Sequence, residues 1–295
     1  MDWFNKFPHM NDDTLRRLKQ MIDEGFRSFT RNYGETIENL FLPLQKFLIM
    51  CERFMTQTPW PIVLLLILVI VWAASRSLKI TLGALVTLLA IGYFDMWEDA
   101  MRTISMIFVC TLIAIIIGLP VGIFMARSER LQKVITPILD VMQTMPSFVY
   151  LIPVVMLLGI GRVPGLIAVV IYAIPPIIRL TNLGIRLVDR DVLEAADAFG
   201  SSNAQKLFKV QIPLALPTIM AGINQTIMMA LAMVVVASMI GVQGLGQPVL
   251  KAIANQYFTL GIFNGLAIVG IAIIFDRVSQ AYGQRLQKHQ EVFHG

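Results

Sequence analysis

Residues 103–126 read TISMIFVCTLIAIIIGLPVGIFMA, and no charged side chain occurs among them. About 20 consecutive apolar residues suffice for a helix to cross a bilayer. Six further runs approach or reach that length, so the sequence predicts an all-α, polytopic membrane bundle of about seven spans. The first two are short and could instead form a hairpin or lie partly in the interface. The seven runs are 60–74, 80–94, 103–126, 141–160, 163–178, 214–240 and 261–275.

The composition supports a membrane protein. Of 295 residues, 56% are hydrophobic and only 15% are charged, whereas about 25% are charged in ordinary globular proteins. This excludes a disordered chain and argues against a soluble enzyme. Cys51 and Cys110 cannot form a disulfide framework, and His9, His289 and His294 have no Cys or carboxylate at metal-ligand spacing. We therefore expect no metal and no cofactor, and we expect lipid rather than nucleic acid around the chain.

Lysine and arginine are unevenly distributed between the runs. Thirteen lie in one alternating set of loops and three in the other. Because cytoplasmic loops are enriched in Lys and Arg, the first set is predicted to be cytoplasmic. Seven spans then place the N-terminus outside and the C-terminus in the cytoplasm. The first set is Arg76, Lys79, Arg127, Arg130, Lys133, Arg179, Arg186, Arg190, Lys206, Lys209, Arg277, Arg285 and Lys288; the second is Arg102, Arg162 and Lys251.

The segment before the first run has the periodicity of an amphipathic helix. Apolar residues recur every three or four positions from Leu15 onward. Asn11 or Asp12 could cap the helix, and Gly34 and Pro43 are expected to divide it. The segment could lie in the membrane interface as a scaffold, or it could pack on a partner or on its own domain.

Motifs for enzymatic chemistry are missing from the sequence. It has no G-x-x-x-x-G-K-[ST] phosphate loop, no H-E-x-x-H and no G-x-S-x-G. Only Asp140 and Asp276 come close to the bilayer, both near predicted cytoplasmic ends, so an ion-driven carrier has little to work with. We expect no catalytic residue.

The longest polar loop, residues 179–211, contains two predicted helices. Asp191 to Phe199 reads as a short helix capped by Asp191 and ended by Gly200. A second stretch, Ser202 to Val210, runs into Pro213. From spacing alone, a solvated loop is the alternative to an L-shaped helix pair beneath the membrane.

This loop resembles the EAA loop of ABC-importer permeases, E-A-A-x-x-x-G-x(9)-I-x-L-P. Glu194-Ala195-Ala196, Gly200 and Pro213 match it, whereas Val210 and Ile212 replace its Ile and Leu. Residues 142–153, 178–186 and 221–231 are similar to permease subunits for glycine betaine, proline betaine and choline. The similarity covers about residues 97–283. The sequence departs from the family at Val242-Gln243, where relatives usually carry smaller residues. In the family this position belongs to the external gate.

The resemblance implies an importer of the bacterial inner membrane that is powered by a separate subunit. Two ATP-binding subunits would dock on the loop, an extracytoplasmic binding protein would deliver substrate, and a second permease copy would complete a homodimer. Glu194 would meet a basic partner on the ATPase, and Gly200 would set the bend. The implied coupling residues are Glu194, Ala195, Ala196, Phe199, Gly200 and Pro213. The implied organisation is an N-terminal amphipathic segment (1–58), two N-terminal transmembrane helices (59–95), a permease core (96–283) with its coupling loop at about 187–213, and a cytoplasmic tail (284–295).

A translocation pathway is expected where polar residues lie inside spans beside a proline kink. Aromatic rings attract quaternary ammonium ions, which suggests Phe148 and Tyr150 as contacts. The same polar residues could instead bond neighbouring helices. A permease for trimethylamine N-oxide or methionine and a non-transporting membrane scaffold or sensor are the alternatives. The candidate pathway residues are Gln143, Thr144, Ser147, Phe148, Tyr150, Asn224, Gln225 and Thr226.

Overall fold

The computed structural model describes residues 10–291, and the side chains of residues 10–285, as a bundle of helices without a strand in that range. The prediction of an all-α bundle is confirmed. His9, His294 and the ends of the predicted N- and C-terminal segments lie outside the described residues. The helices are α1 (Asp12–Gln57), α2 (Trp60–Ser75), α3 (Leu78–Tyr93), α4 (Trp97–Arg127), α5 (Glu129–Thr144), α6 (Ser147–Leu158), α7 (Arg162–Ala173), α8 (Pro175–Arg186), α9 (Arg190–Ala198), α10 (Asn203–Gln205), α11 (Ile212–Ala237), α12 (Gly246–Asn255) and α13 (Phe258–Glu291).

Fewer spans are long enough to cross a bilayer than the seven that were predicted. Four helical stretches qualify among the described residues, and two strongly bent pairs, α1 with α2 (113°) and α5 with α6 (101°), raise the number to at most six. The helices α2 and α3 have 16 residues each, and at about 1.5 Å per residue they are shorter than a hydrocarbon core of about 30 Å. The four stretches are Trp97–Arg127, Arg162–Arg186, Asn203–Ile240 and Phe258–Arg285.

The predicted span 141–160 is broken rather than kinked. Met145 is extended (φ −70°, ψ 130°) and separates α5 from α6. Proline disfavours the helical conformation in the residue before it, and Pro146 follows Met145 directly. By contrast, Pro120 and Pro217 lie inside continuous helices.

The amphipathic N-terminal segment is one helix of 46 residues, so the expected division at Gly34 and Pro43 is wrong. Asn11 caps it as predicted, because its side chain accepts a hydrogen bond from the Asp13 N–H at 3.3 Å. Its C-terminal part packs on the chain's own bundle, with Leu48 buried. An added Cβ at Gly34 would lie 3.5 Å from the Leu157 carbonyl oxygen, so α1 also passes close to α6.

The centre of the bundle is the close packing of α4, α8 and α11. An added Cβ at Gly118 would lie 2.5 Å from Ile177, and one at Gly122 would lie 2.6 Å from Thr181. Gly222 of α11 faces Leu180 of α8 at 3.0 Å by the same measure. Small residues at these crossings let the helix backbones approach closely.

Contacts between helix ends define two ends of the bundle. At the α9 end, Arg186 donates to the Met125 carbonyl at 3.0 Å and Arg285 donates to the Ala73 carbonyl at 2.9 Å. At the opposite end, called the Glu52 end, the last turns of α1 meet the first turns of α4 and α7. The chain therefore carries its predicted coupling loop and its long N-terminal helix at opposite ends.

Candidate coupling and pathway sites

The N-cap of the short helix α9 lies two residues before the predicted cap, Asp191. Asp189 is the N-cap, and its carboxylate accepts a hydrogen bond from the Asp191 N–H at 3.0 Å. Asp191 therefore lies in the first turn, where a negative charge also favours the helix. Either aspartate side chain could cap a helix. Asp189 is the cap because its backbone is extended, as the N-cap position requires.

The surface of α9 is open. None of its residues is buried; Glu194 and Ala195 are exposed, Ala196 is half-buried, and the Phe199 ring is 90% exposed. A fully exposed aromatic ring beside small residues is typical of an interaction surface. The helix thus offers a narrow face with one charge and one ring.

A turn at Gly200 joins α9 to the next helix, so both helices that the spacing predicted are present. Gly200 has φ +74°, a conformation that glycine adopts without penalty. Ser202 caps the next helix in a capping box with Gln205. Lys206 forms an ion pair with Asp197 at 2.6 Å, and this pair connects the helical segments on the two sides of the turn.

The second helical stretch, which was predicted to end before Pro213, continues through this proline. Residues Lys206–Gln211 form a π-helical segment that continues into α11. Hydrogen bonds there run to the fifth residue instead of the fourth, and this change of register directly precedes the proline. The coupling loop is therefore joined to a span by continuous helix.

The pathway candidates at the α5–α6 break divide into open and enclosed residues. Gln143, Thr144 and Phe148 are exposed, and Ser147 is half-buried. Tyr150 is only 6% exposed, and its ring packs edge-on against Tyr172 at 5.6 Å. Its hydroxyl donates to the Met142 carbonyl across the break. In this conformation its ring faces protein.

The candidates in α11 line a different surface. Asn224 and Gln225 line a groove of about 470 Å³ between α11 and α13, whereas Thr226 is fully buried. None of the α5–α6 candidates lines this groove. The structure therefore does not bring the two sets together within one chain.

Asp276 lies directly behind the wall of this groove and was not among the predicted site residues. The Asn224 side-chain amide donates to its carboxylate at 2.9 Å, and Gln280 donates to the same oxygen at 2.7 Å. An ionisable residue inside a membrane span was the available signal, and its position near a span end led us to set it aside.

A polar cluster at the Glu52 end contains the unusual Val242-Gln243 pair. Arg162 donates to the Glu52 carboxylate at 2.9 Å and to the Gln243 side chain at 2.7 Å. Val242 is buried against Gly165, and the Leu245 N–H donates to the Thr103 hydroxyl at 2.9 Å. The loop after α11 is thus fixed to α7, α4 and α1. Among the described residues no three His, Cys, Asp or Glu side chains are grouped as metal ligands.

Comparison with known proteins gives consistent relationships. Residues 118–288 match the family described as binding-protein-dependent transport system inner membrane component. The chain is 44% identical over 293 residues to the glycine betaine/proline betaine transport system permease protein ProW of Escherichia coli (strain K12), covering 96% of this chain and 82% of that protein. It is 48% identical over 229 residues to the glycine betaine/carnitine transport permease protein GbuB of Listeria monocytogenes serotype 1/2a (strain 10403S), covering 77% and 81%.

The fold also has a solved counterpart. Structures of inward-facing conformations of the MetNI methionine ABC transporter align with a TM-score of 0.57 at 20% identity, covering 63% of this chain and 93% of that chain. At this identity the likeness concerns the fold alone.

Proposed function

The chain belongs to the family of inner membrane components of binding-protein-dependent transport systems, and from that premise we propose that it imports a quaternary-amine osmolyte, namely glycine betaine, proline betaine or choline. The observation that carries this proposal is the 44% identity to a glycine betaine/proline betaine permease over 96% of the chain. The protein is a transport permease and not an enzyme. ATP hydrolysis takes place in a separate subunit.

The exposed face of α9 is the docking surface for that ATPase. An amphipathic helix entering a groove is a common recognition mode, and here Glu194 supplies the charge while Phe199 supplies the apolar anchor. Two ATPase copies serve a homodimer of this chain, and an extracytoplasmic binding protein delivers the substrate at the Glu52 end.

Glu194→Ala is expected to reduce ATPase co-purification and ATP-dependent uptake together, by about tenfold if one charged contact worth roughly 1.4 kcal/mol is lost. Asp191→Asn, which removes a charge from the same exposed helix outside the EAA motif, is the matched control. Normal uptake by the Glu194→Ala variant would contradict the docking assignment.

The α9 end faces the cytoplasm in this proposal. It contains most of the basic residues, including Arg186 and Arg285, whereas Arg102 and Arg162 lie at the Glu52 end. The helix α1 joins α2 at the Glu52 end, so the N-terminal helix lies outside even though the number of long spans is smaller than seven. The C-terminus follows α13 into the cytoplasm.

The candidate residues at the α5–α6 break and in the α11–α13 groove form the pathway of the assembled dimer. Exposed Gln143, Thr144 and Phe148 and half-buried Ser147 contribute from α5 and α6, and Asn224 and Gln225 contribute from α11. Ser147→Trp should block uptake without loss of the ATPase from the purified complex. If uptake persists, the α5–α6 residues are packing residues.

Reconstitution of the permease with its ATPase and binding protein in liposomes tests the function directly. Labelled glycine betaine should accumulate only when all three proteins and ATP are present. Competition by unlabelled proline betaine or choline, but not by methionine or trimethylamine N-oxide, identifies the substrate class. A scaffold or sensor without transport predicts no accumulation and no ATPase stimulation by loaded binding protein.

A further inference from the structure

The groove between α11 and α13 lies at the α9 end of the bundle. It extends along α11 from Pro217 to Met228 and along α13 to Gln284. Its volume of about 470 Å³ is within the range of about 300–1,000 Å³ found for small-molecule sites. Arg285, directly beyond Gln284, contacts the carbonyl groups that end α2, so the groove reaches the membrane surface on that side.

Asp276, within the span Phe258–Arg285, does not itself line this groove, but its carboxylate is bonded to two residues that do, Asn224 and Gln280, and so places a negative charge directly behind the groove wall. In the part of the chain with described side chains, residues 10–285, no ion pair within 4.0 Å involves its carboxylate. The nearby Arg285 is engaged with the Ala73 and Ala74 carbonyls. A carboxylate inside a membrane span is costly, and such residues usually face a water-filled cavity or bind a cation.

Neighbouring amides orient the Asp276 carboxylate. Asn224 and Gln280 both donate to its Oδ1 atom, while the Ser279 hydroxyl donates to the Asn224 oxygen. Because Asn224, Ser279 and Gln280 also line the groove, the charge is held by the groove wall itself. The second oxygen, Oδ2, has no hydrogen-bond donor among these three residues.

A fixed carboxylate oriented by neutral amides suits a particular cation. A quaternary ammonium group cannot donate hydrogen bonds, so it needs an electrostatic partner rather than a set of acceptors. The thioethers of Met220 and Met228, which also line the groove, are soft and polarizable neighbours for methyl groups. A metal ion would require more oxygen ligands than one carboxylate.

We propose that this groove is a binding site for the quaternary ammonium group of the substrate on the α9 side of the membrane, with Asp276 as its counter-charge. The proposal rests on the proposed function and adds to it a named site and a specificity-determining residue. A cation that leaves the pathway meets one fixed negative charge beside an otherwise neutral surface. This charge attracts the cation, whereas a set of several ligands would retain it.

Thiol labelling tests the charge of the groove. Met228→Cys, on a background with Cys51→Ser and Cys110→Ala, places a single thiol on the groove wall of the complete transport complex in liposomes. Its reaction rates with a trimethylammonium and with a sulfonate methanethiosulfonate reagent are each divided by the rate with a free thiol. We expect a preference of about tenfold for the trimethylammonium reagent, the low end of electrostatic focusing in clefts.

Variants assign that preference to Asp276. Asp276→Asn should abolish it, Asp276→Glu should retain most of it, and Glu129→Gln, which removes an exposed charge at the same end of the bundle, should not change it. Asp276→Asn should also raise the KM for uptake severalfold with little change in ATPase co-purification. An unchanged preference in Asp276→Asn would overturn the proposal, as would a preference for the sulfonate reagent in the parent protein.

Substrate protection supplies a measurement that does not depend on the folding of any Asp276 variant. Glycine betaine delivered by its binding protein during ATP turnover should slow labelling of the Met228→Cys thiol at least twofold. If the parent protein transports glycine betaine but labelling is not slowed, the groove assignment fails while the proposed function stands. If the parent protein transports no quaternary amine, the proposed function itself fails.

Discussion

At the scale of single residues, Gly200 has the most direct effect on the coupling loop. Its φ of +74° is left-handed, and an added Cβ would have no atom within 4 Å. A substitution there is therefore limited by backbone conformation and not by space. The left-handed conformation costs an ordinary residue about 1–2 kcal/mol, and asparagine tolerates it better than others do.

Gly200→Leu is accordingly expected to strain the turn after α9. ATP-dependent uptake and ATPase co-purification should then fall by about tenfold, the equivalent of roughly 1.4 kcal/mol. Gly200→Asn should retain most of both activities. Equal loss in the two variants would indicate that side-chain size, and not backbone conformation, matters at this position.

Tyr150 illustrates a polar group that closes a helix break. Its hydroxyl donates to the Met142 carbonyl, and its ring packs against Tyr172. Tyr150→Phe should lower the free energy of unfolding by about 0.5–1.5 kcal/mol, the net contribution of one hydrogen bond. Thermal unfolding of the purified protein measures this. Since the ring remains, the KM for uptake should not change; an altered KM with normal stability would instead favour a substrate contact by the hydroxyl.

At the scale of elements, α1 is attached to the bundle by one partly buried carboxylate in addition to the packing of Leu48. Glu52, whose side chain is 13% exposed, lies 2.9 Å from Arg162 and 3.6 Å from Arg102. Removing it leaves two arginine side chains without their shared partner. The attachment also includes Gln243, which shares Arg162 with Glu52.

Glu52→Ala is expected to lower the free energy of unfolding by about 1.5–3 kcal/mol, the range for hydrogen bonds to charged groups. Glu35→Ala, which removes an exposed carboxylate from the same helix, should change it by less than about 0.5 kcal/mol. Thermal unfolding in detergent compares the two variants. A shift as small as that of the control would show that the packing of Leu48 and its neighbours suffices to attach α1.

Most elements could be predicted from the sequence because uninterrupted apolar runs leave few alternatives to a helix. The positions of α4 and α11 follow from composition alone. The break at Met145 could not be told from a kink, because proline permits both and tertiary contacts decide. The continuity of α1 through Pro43 was likewise unpredictable, since amphipathic packing outweighs one lost hydrogen bond. For the site, the EAA spacing located α9 and its turn, but Asn224, one of the two donors to Asp276, lies on another helix, 52 residues away in sequence.

At the scale of the whole molecule, the two ends of the bundle differ in charge and in the elements they carry. Lys209 is exposed in the coupling loop, and Lys251 is exposed on α12 near the opposite end. Their accessibility reports the orientation of the chain without disturbing an ion pair, because neither side chain belongs to one of the described pairs.

With Cys51 and Cys110 replaced, an impermeant thiol reagent applied to intact cells should label Lys251→Cys and Arg16→Cys but not Lys209→Cys. Inside-out vesicles should give the reverse. The expectation follows from the enrichment of basic residues in cytoplasmic loops. Labelling of position 209 from outside would invert the proposed orientation, and labelling of position 16 only from inside would move α1 to the cytoplasmic face.

The glycine-level packing of α4, α8 and α11 has a mechanical consequence. At Gly118 and Gly122 the side chains of Ile177 and Thr181 in α8 lie directly against the α4 backbone, and α8 is also close to Gly222 in α11, so we expect these three helices to move as one block. Bending is left to the joints at either side, namely the extended Met145 and residues 187–189 before α9. A force applied to α9 would therefore tilt the three helices together about these hinges. A methyl group added at Gly122 would separate α4 from α8 and so hinder this motion.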